Sequence, residues 1–264
     1  MAVARRHGRC EGGEGRPATT VIGVNSEADQ RNGERLSLVL RGSSATCRVQ
    51  PWSFRPEVAQ LVMYQQQQLP AVADLHRWSD RLRDLGYTSV RTTALATAAG
   101  LRVESAGFHS IQELVLLEHT RPTRARAAVT TRRLRDADHD DASAIDVAAF
   151  GSQWALETSA IAAVCAATPR HRGRAVGVPL AAYAISGRDA KQGFLQRLAV
   201  HPAHQRQGLG RALVVDSLQW LARWRVQRVL VNTPVDNDAA LALYEGLGFQ
   251  RLTEHLRLYE RELA

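Results

Sequence analysis

Residues Leu198–Val214 read LAVHPAHQRQGLGRALV. An apolar, strand-like run ends in a polar loop, and two glycines, Gly208 and Gly210, lead into an amphipathic segment that continues to Arg223. Side chains at both glycine positions would hold the backbone away from any ligand, so their absence permits close approach. A helix that starts there presents unpaired N–H groups and the positive end of its dipole, which together attract anions. Arg206 and Arg211 add charge-assisted contacts. The loop Gln205, Arg206, Gln207, Gly208, Leu209, Gly210 and Arg211 therefore reads as a cradle for a pyrophosphate.

Elements of alternating type surround this loop. AAVTTRRL (127–134) reads as a strand, DADHDDASAIDVAAF (136–150) as a helix, and LETSAIAAVCAA (156–167) as a second helix stopped by Pro169. Three apolar segments follow, RAVGV, LAAYAIS and GFLQRLAV. After the loop and its helix come a strand, RVLVNT, a helix, DAALALYEGL, closed by Gly248, and two short strands within FQRLTEHLRLYERE. The order is βααβββαβαββ.

The first half of the chain partly repeats the second. An offset of 141 residues carries Thr92, Ala99, Glu104, Gly107 and Phe108 onto Thr233, Ala240, Glu245, Gly248 and Phe249. Upstream, Asp74 and Trp78 fall on Asp216 and Trp220 after a one-residue slip. These identities follow the same strand–helix–Gly-Phe–strand grammar, which is the mark of a tandem duplication. The counterpart of the glycine loop, MYQQQQLP (63–70), has a proline and no glycine, so its backbone could not wrap a phosphate. Its glutamine run reads as the polar face of a helix. The expected architecture is α/β (α+β): two tandem domains, each a mixed, mostly antiparallel twisted sheet flanked by helices, the N-terminal one degenerate. The expected boundaries are a disordered leader at 1–18, a degenerate domain at 19–120, a basic linker at 121–130 and the catalytic domain at 131–264.

Bulk properties narrow the chemistry. The leader lacks an apolar core, so it is no secretory signal, and no run is long enough to cross a membrane; the cytoplasm is the expected location. The three cysteines, Cys10, Cys47 and Cys165, have neither disulfide nor metal spacing, so no metal is expected. The net charge of +8 invites a nucleic-acid reading. However, Lys191 is the only lysine, and the abundance of arginine and alanine suits a GC-rich coding bias. The basic run Arg121–Arg135 reads as a solvated linker, and nucleic acid is not the expected partner.

The glycine loop is followed, 27 residues after Gly210, by NDAALALYEGLGF. The pair resembles the acetyl-CoA-binding core of the GCN5-related N-acetyltransferase (GNAT) superfamily, over roughly residues 127–264. The resemblance implies that Leu198, Ala199 and Val200 lie beside the acetyl-CoA, where a bulge frees backbone amides to polarise the thioester carbonyl. It implies further that Gln205 to Arg211 hold the pyrophosphate, Asn237 bonds the pantetheine arm, and Tyr244 protonates the departing thiolate. His201 and His204 flank the turn and read as structural.

One position departs from the pattern. Ribosomal-protein N-terminal alanine acetyltransferases, which this half otherwise resembles, carry a glutamate base five residues before the asparagine, where this chain has Asn232. The proton of the attacking amine would leave through a water held by Asn232, or through a carboxylate such as Glu157 or Glu254. Trp154 reads as a wall of the substrate channel. The tandem layout is similar to mycothiol synthase, which makes a small-molecule amine the leading acceptor and a protein amine the alternative, for a monomer or a homodimer. A non-catalytic acetyl-CoA-binding scaffold is the competing reading.

Overall fold

The computed structural model describes residues 38–63, 69–120, 122 and 127–264. The leader, the glutamine run and most of the basic linker lie outside these residues. The N-terminal half contributes β1 (Leu38–Arg41), β2 (Thr46–Trp52), β3 (Arg55–Met63), α1 (Val72–Asp84), β4 (Ser89–Thr92), β5 (Leu95–Ala96), α2 (Thr97–Glu104) and β6 (His109–Thr120). The C-terminal half contributes β7 (Arg132–Arg133), α3 (His139–Phe150), α4 (Thr158–Ala166), β8 (Arg170–Val176), β9 (Ala182–Arg188), β10 (Gln192–Val200), α5 (Leu209–Arg223), β11 (Arg228–Pro234), α6 (Asp238–Glu245) and β12 (Gln250–Glu262).

The expected C-terminal order holds, with local corrections. The first strand shrinks to Arg132–Arg133. The third helix of the chain begins with a single 3₁₀ turn at Asp136–Asp138. RAVGV is the end of a longer strand that stops at Val176, because Gly177 turns the chain with φ at +92°. The two expected terminal strands are one, β12, with its register irregular between Arg251 and His255. α5 forms where the pattern placed it: Leu213, Val214, Leu218 and Leu221 are buried on one face, at helical spacing.

Among the described residues, all strands join one twelve-stranded sheet in the order β1-β2-β3-β4-β12-β6-β11-β10-β9-β8-β7, with β5 also paired to β12. The halves exchange their last strands. β6 of the N-terminal half pairs antiparallel with β11, and β12 of the C-terminal half pairs with β4. In the centre Leu114 faces Leu256 and Val115 faces His255. The sequence offset of 141 maps Leu114 onto His255 and Val115 onto Leu256. A local two-fold axis therefore passes between those pairs, as a duplicated chain folded on itself requires.

The repeat is visible in the buried carboxylates too. Asp74 of α1 accepts from the Ser43 amide at 2.7 Å and its hydroxyl at 2.8 Å, and pairs with Arg77. Asp216, its counterpart on α5, accepts from Thr131 Oγ1 at 2.7 Å and Arg172 Nε at 2.8 Å. Burial pushes the Asp216 carboxyl up, but the Arg172 and Thr131 hydrogen bonds and the Arg174 charge outweigh it and hold it below the usual range. A depressed folded-state value means the stabilisation is present above the unfolded pKa and is lost as pH falls. Asp216→Asn should flatten the acid limb of the melting temperature against pH and leave Arg172 and Arg174 without a countercharge. We expect it to cost about 3 kcal/mol at neutral pH by urea unfolding.

The two halves differ where each could open a cleft. β3 and β4 run parallel through Val58↔Ser89 to Leu61↔Thr92. Tyr259 of the exchanged strand is fully buried beside them, and a methyl on Gly100 of α2 would lie 2.1 Å from its hydroxyl. A ring from the other half thus packs against α2 of the N-terminal half, and the Tyr259 amide donates to Thr92 Oγ1 of β4 at 3.1 Å. Cys47 and Cys165 are thiols whose values burial pushes up to about 12 and about 11, which makes them poor nucleophiles. No helix of the described residues is long and apolar enough to cross a membrane.

Candidate active site

β10 and β11 pair in parallel only from Gln192↔Arg228 to Phe194↔Leu230. Beyond that point they diverge, while β10 keeps its other neighbour, β9, through Val200↔Ala182. The register slips between Leu195 and Arg197, so the bulge sits at Gln196, just before the Leu198–Val200 segment where it was expected. The divergence leaves the β11-facing edge of β10 without ladder partners and opens a cavity of about 680 Å³.

The glycine loop follows β10; Gly210 lies beside Val200 and Leu198, and Leu198 lines the cavity, whereas none of residues 205–211 does. Gly208 has φ at +79°, in the left-handed region, and caps α5 without a side-chain hydrogen bond, so the first-turn amides stay free. A methyl on Gly208 would meet nothing within 4 Å. A methyl on Gly210 would make ordinary contacts, 3.4 Å to Leu243 Cδ2 and 3.6 Å to Val200 Cγ2. Gly208 is therefore fixed by its conformation, and no protein neighbour requires a glycine at Gly210. Gln205, Arg206, Gln207 and Arg211 are all exposed around the turn, and Arg206 also has positive φ, at 59°. His201 Nδ1 accepts from the Ala203 amide at 3.2 Å and so shapes the turn; His204 packs near it, with ring centroids 5.8 Å apart.

Tyr244, Asn232, Asn237, Leu198 and Trp154 all line the cavity. Tyr244 is buried on α6 against Phe249, and its hydroxyl bonds no other described residue. Burial pushes that hydroxyl well up, with the Arg197 charge acting the other way. The side chain therefore remains a protonated donor. Asn237 caps α6 by accepting from the Ala240 amide at 3.1 Å, which commits its carbonyl oxygen and leaves its NH₂. Asn232 is half-buried on β11.

Neither proposed carboxylate lines the cavity. Glu157 is exposed at the start of α4 and accepts from Ser159 Oγ at 2.8 Å. Glu254 lies in the irregular part of β12, away from the lining residues. Asp236, an exposed residue, is the one carboxylate among those lining residues. Ala199 turns its side chain into the core between the sheet and the helices α3 and α4.

Several residues in and behind the cavity wall had no sequence signal. Asp146 of α3 is completely buried and accepts from Tyr183 Oη at 2.6 Å, from the Leu156 amide at 2.8 Å and from Arg197. Arg197 also donates to the Trp154 carbonyl at 2.9 Å and lies 4.1 Å from the Phe150 ring centroid. The other wall comes from the N-terminal half. Trp52 meets Trp154 edge-on at 5.8 Å, and its indole N–H donates to the Gln153 carbonyl at 2.9 Å. Behind the two indoles lies Arg91, ion-paired with Glu260 at 3.1 Å. An Asp in a helix and a Trp in a strand read as ordinary elements until the fold brings them together.

The model of the acetyltransferase (GNAT) family matches residues 111–249, more than half of the chain. The chain belongs to the GNAT family. Its match to the [ribosomal protein bS18]-alanine N-acetyltransferase of Escherichia coli strain K12 is 39% identical over 80 residues, 30% of this chain and 54% of that relative. The mycothiol acetyltransferase of Kocuria rhizophila is 41% identical over 66 residues, 25% of this chain and 22% of that one. This GNAT chain thus spans about half the length or less of these curated relatives. Among solved structures, a tandem GNAT protein from the clavulanic acid biosynthesis pathway superposes with TM-score 0.62 at 15% identity, covering 84% of this chain and 79% of that one. A GCN5-related N-acetyltransferase from Kribbella flavida gives 0.56 at 14%, covering 84% and 89%. Both likenesses span both halves of the sheet, and the tandem GNAT fold is the fold of this chain.

Proposed function

We propose that the chain is an acetyl-CoA-dependent N-acetyltransferase that moves an acetyl group directly onto a primary amine. The observation that carries this reading is the continuity of three features: free amides at the α5 N-terminus, the unpaired edge of β10, and the Tyr244 hydroxyl on the cavity wall. Acetyl-CoA, when bound, supplies the acetyl group as a thioester. The α5 amides, Arg206 and Arg211 would hold its pyrophosphate. The Asn237 NH₂ would orient the pantetheine arm, and the β10 amides after the bulge would donate to the carbonyl oxygen as negative charge develops there. Tyr244 Oη would give its proton to the departing sulfur. With Asn232 in place of a carboxylate, the amine loses its proton to a water that Asn232 and backbone groups hold. A small-molecule amine is the leading acceptor, and a protein N-terminal amine is the alternative.

Tyr244→Phe tests the acid role. We expect turnover to fall about 100-fold or more, while acetyl-CoA affinity and the melting temperature hardly change, because the lost hydroxyl has no partner among the described residues. Equal loss of binding and turnover would make the ring a packing element only. In the unaltered chain the rate at subsaturating amine should rise with pH until the acceptor itself is deprotonated. A plateau near pH 5 would instead reveal a carboxylate base and sink the water-mediated route.

A further inference from the structure

We propose that Arg197 is the specificity-determining residue of the acceptor site, and that the acceptor is a primary amine carrying a carboxylate beside an apolar or planar group. This rests on the acetyltransferase reading above. Arg197 Nε and Nη2 are committed to Asp146, and Nη2 also to the Trp154 carbonyl. Nη1 bonds no described residue, and Arg197 is among the residues that line the cavity. Asp146, completely buried behind it, fixes the guanidinium so that little side-chain entropy is lost when a ligand arrives. A fixed planar guanidinium with a free donor suits a carboxylate.

The rest of the wall agrees with that chemistry. Trp52, Trp154 and Phe150 supply flat apolar surface, and Gln60 and Gln112 supply neutral polar groups. The exposed Asp236 is the one lining carboxylate, so the wall has little to balance the charge of a polycationic amine. Asp146 is a positioning residue: it acts through Arg197 and is sealed from the cavity.

The test compares acceptors in pairs that differ only by the carboxylate: phenylalanine with phenethylamine, tryptophan with tryptamine, and β-alanine with ethylamine. CoA release is followed in the unaltered chain. Binding of the N-acetylated products is measured by calorimetry without acetyl-CoA. We expect the carboxylated member of at least one aromatic pair to be favoured about tenfold or more in kcat/KM, with its product bound tighter by a similar factor. The double variant Arg197→Gln with Asp146→Asn, which leaves no lone buried charge, should lose that preference. Should the variant fail to fold, the paired comparison still decides. Equal or faster reaction of the decarboxylated members overturns the proposal and leaves the acetyltransferase reading standing. If neither member of any pair reacts and no product binds, the proposal also falls. Stabilisation of the chain by acetyl-CoA then judges the acetyltransferase reading on its own.

Discussion

Gly208→Ala is expected to abolish the stabilisation of this chain by acetyl-CoA, whereas Gly210→Ala is expected to retain it. The unaltered chain at a ligand concentration of a hundred times Kd should gain about 2.7 kcal/mol. A methyl at Gly208 meets no protein atom, so the ligand-free variant loses only the preference of an L residue against positive φ, about 1–2 kcal/mol. Its Cβ would occupy the open space over the α5 amides, where the pyrophosphate is proposed to lie. At Gly210 the added methyl makes ordinary contacts inside the first turn of a helix. There, alanine should leave the ligand-free chain unchanged or about 0.5–1 kcal/mol more stable. Thermal unfolding of the three proteins with and without acetyl-CoA separates the effects. Retained ligand stabilisation in Gly208→Ala would move the cofactor off this loop. Absence of stabilisation even in the unaltered chain would make the loop a relic and overturn the acetyl-CoA reading.

The loop was legible because its physics is local. Positive φ, missing side chains and free amides at a helix start are set by consecutive residues, so Gln205 to Arg211 could be read in one line of sequence. Tyr244 and Asn237 were named only through the family resemblance; both sit at α6, Asn237 as its cap, and both line the cavity. Arg197, Asp146 and Trp52 were not legible. Their roles come from contacts between residues 51 positions apart, in the case of Arg197 and Asp146, and 101 apart, in the case of Trp52 and Gln153. Glu157 and Glu254 are carboxylates on elements near the site, but Glu157 is exposed at the start of α4, Glu254 lies in the irregular part of β12, and neither lines the cavity. The strand exchange was hidden by the duplication itself. β6 and β12 follow the same Gly-Phe grammar, and two strands of like pattern can trade neighbours without any change in which faces are apolar.

That exchange bears on where the chain can be cut. The fragment 131–264 should fail to melt cooperatively, whereas 109–264 should melt as a folded unit. β6 is the direct partner of β11 and of β12, so cutting after the basic linker removes a central strand. Its Leu114, Val115, Leu116 and Leu117 are all buried. At about 1.5–3 kcal/mol for each such side chain, the loss is about 6–12 kcal/mol, comparable with the whole stability of an ordinary domain at about 5–15 kcal/mol. The unpaired edge of β11 would add aggregation. Starting at His109 keeps the order β12-β6-β11-β10-β9-β8-β7 without a gap, and the family match likewise begins within β6, at residue 111. Circular dichroism melts of the two fragments read the difference directly. A cooperative transition in 131–264 would show that β12 can move into the place of β6, pairing with β11 inside its own half. The longer fragment would still lack Trp52 and Gln60 from the cavity wall. It should therefore bind acetyl-CoA while losing affinity for the acceptor, which assigns to the N-terminal half a part in choosing the amine.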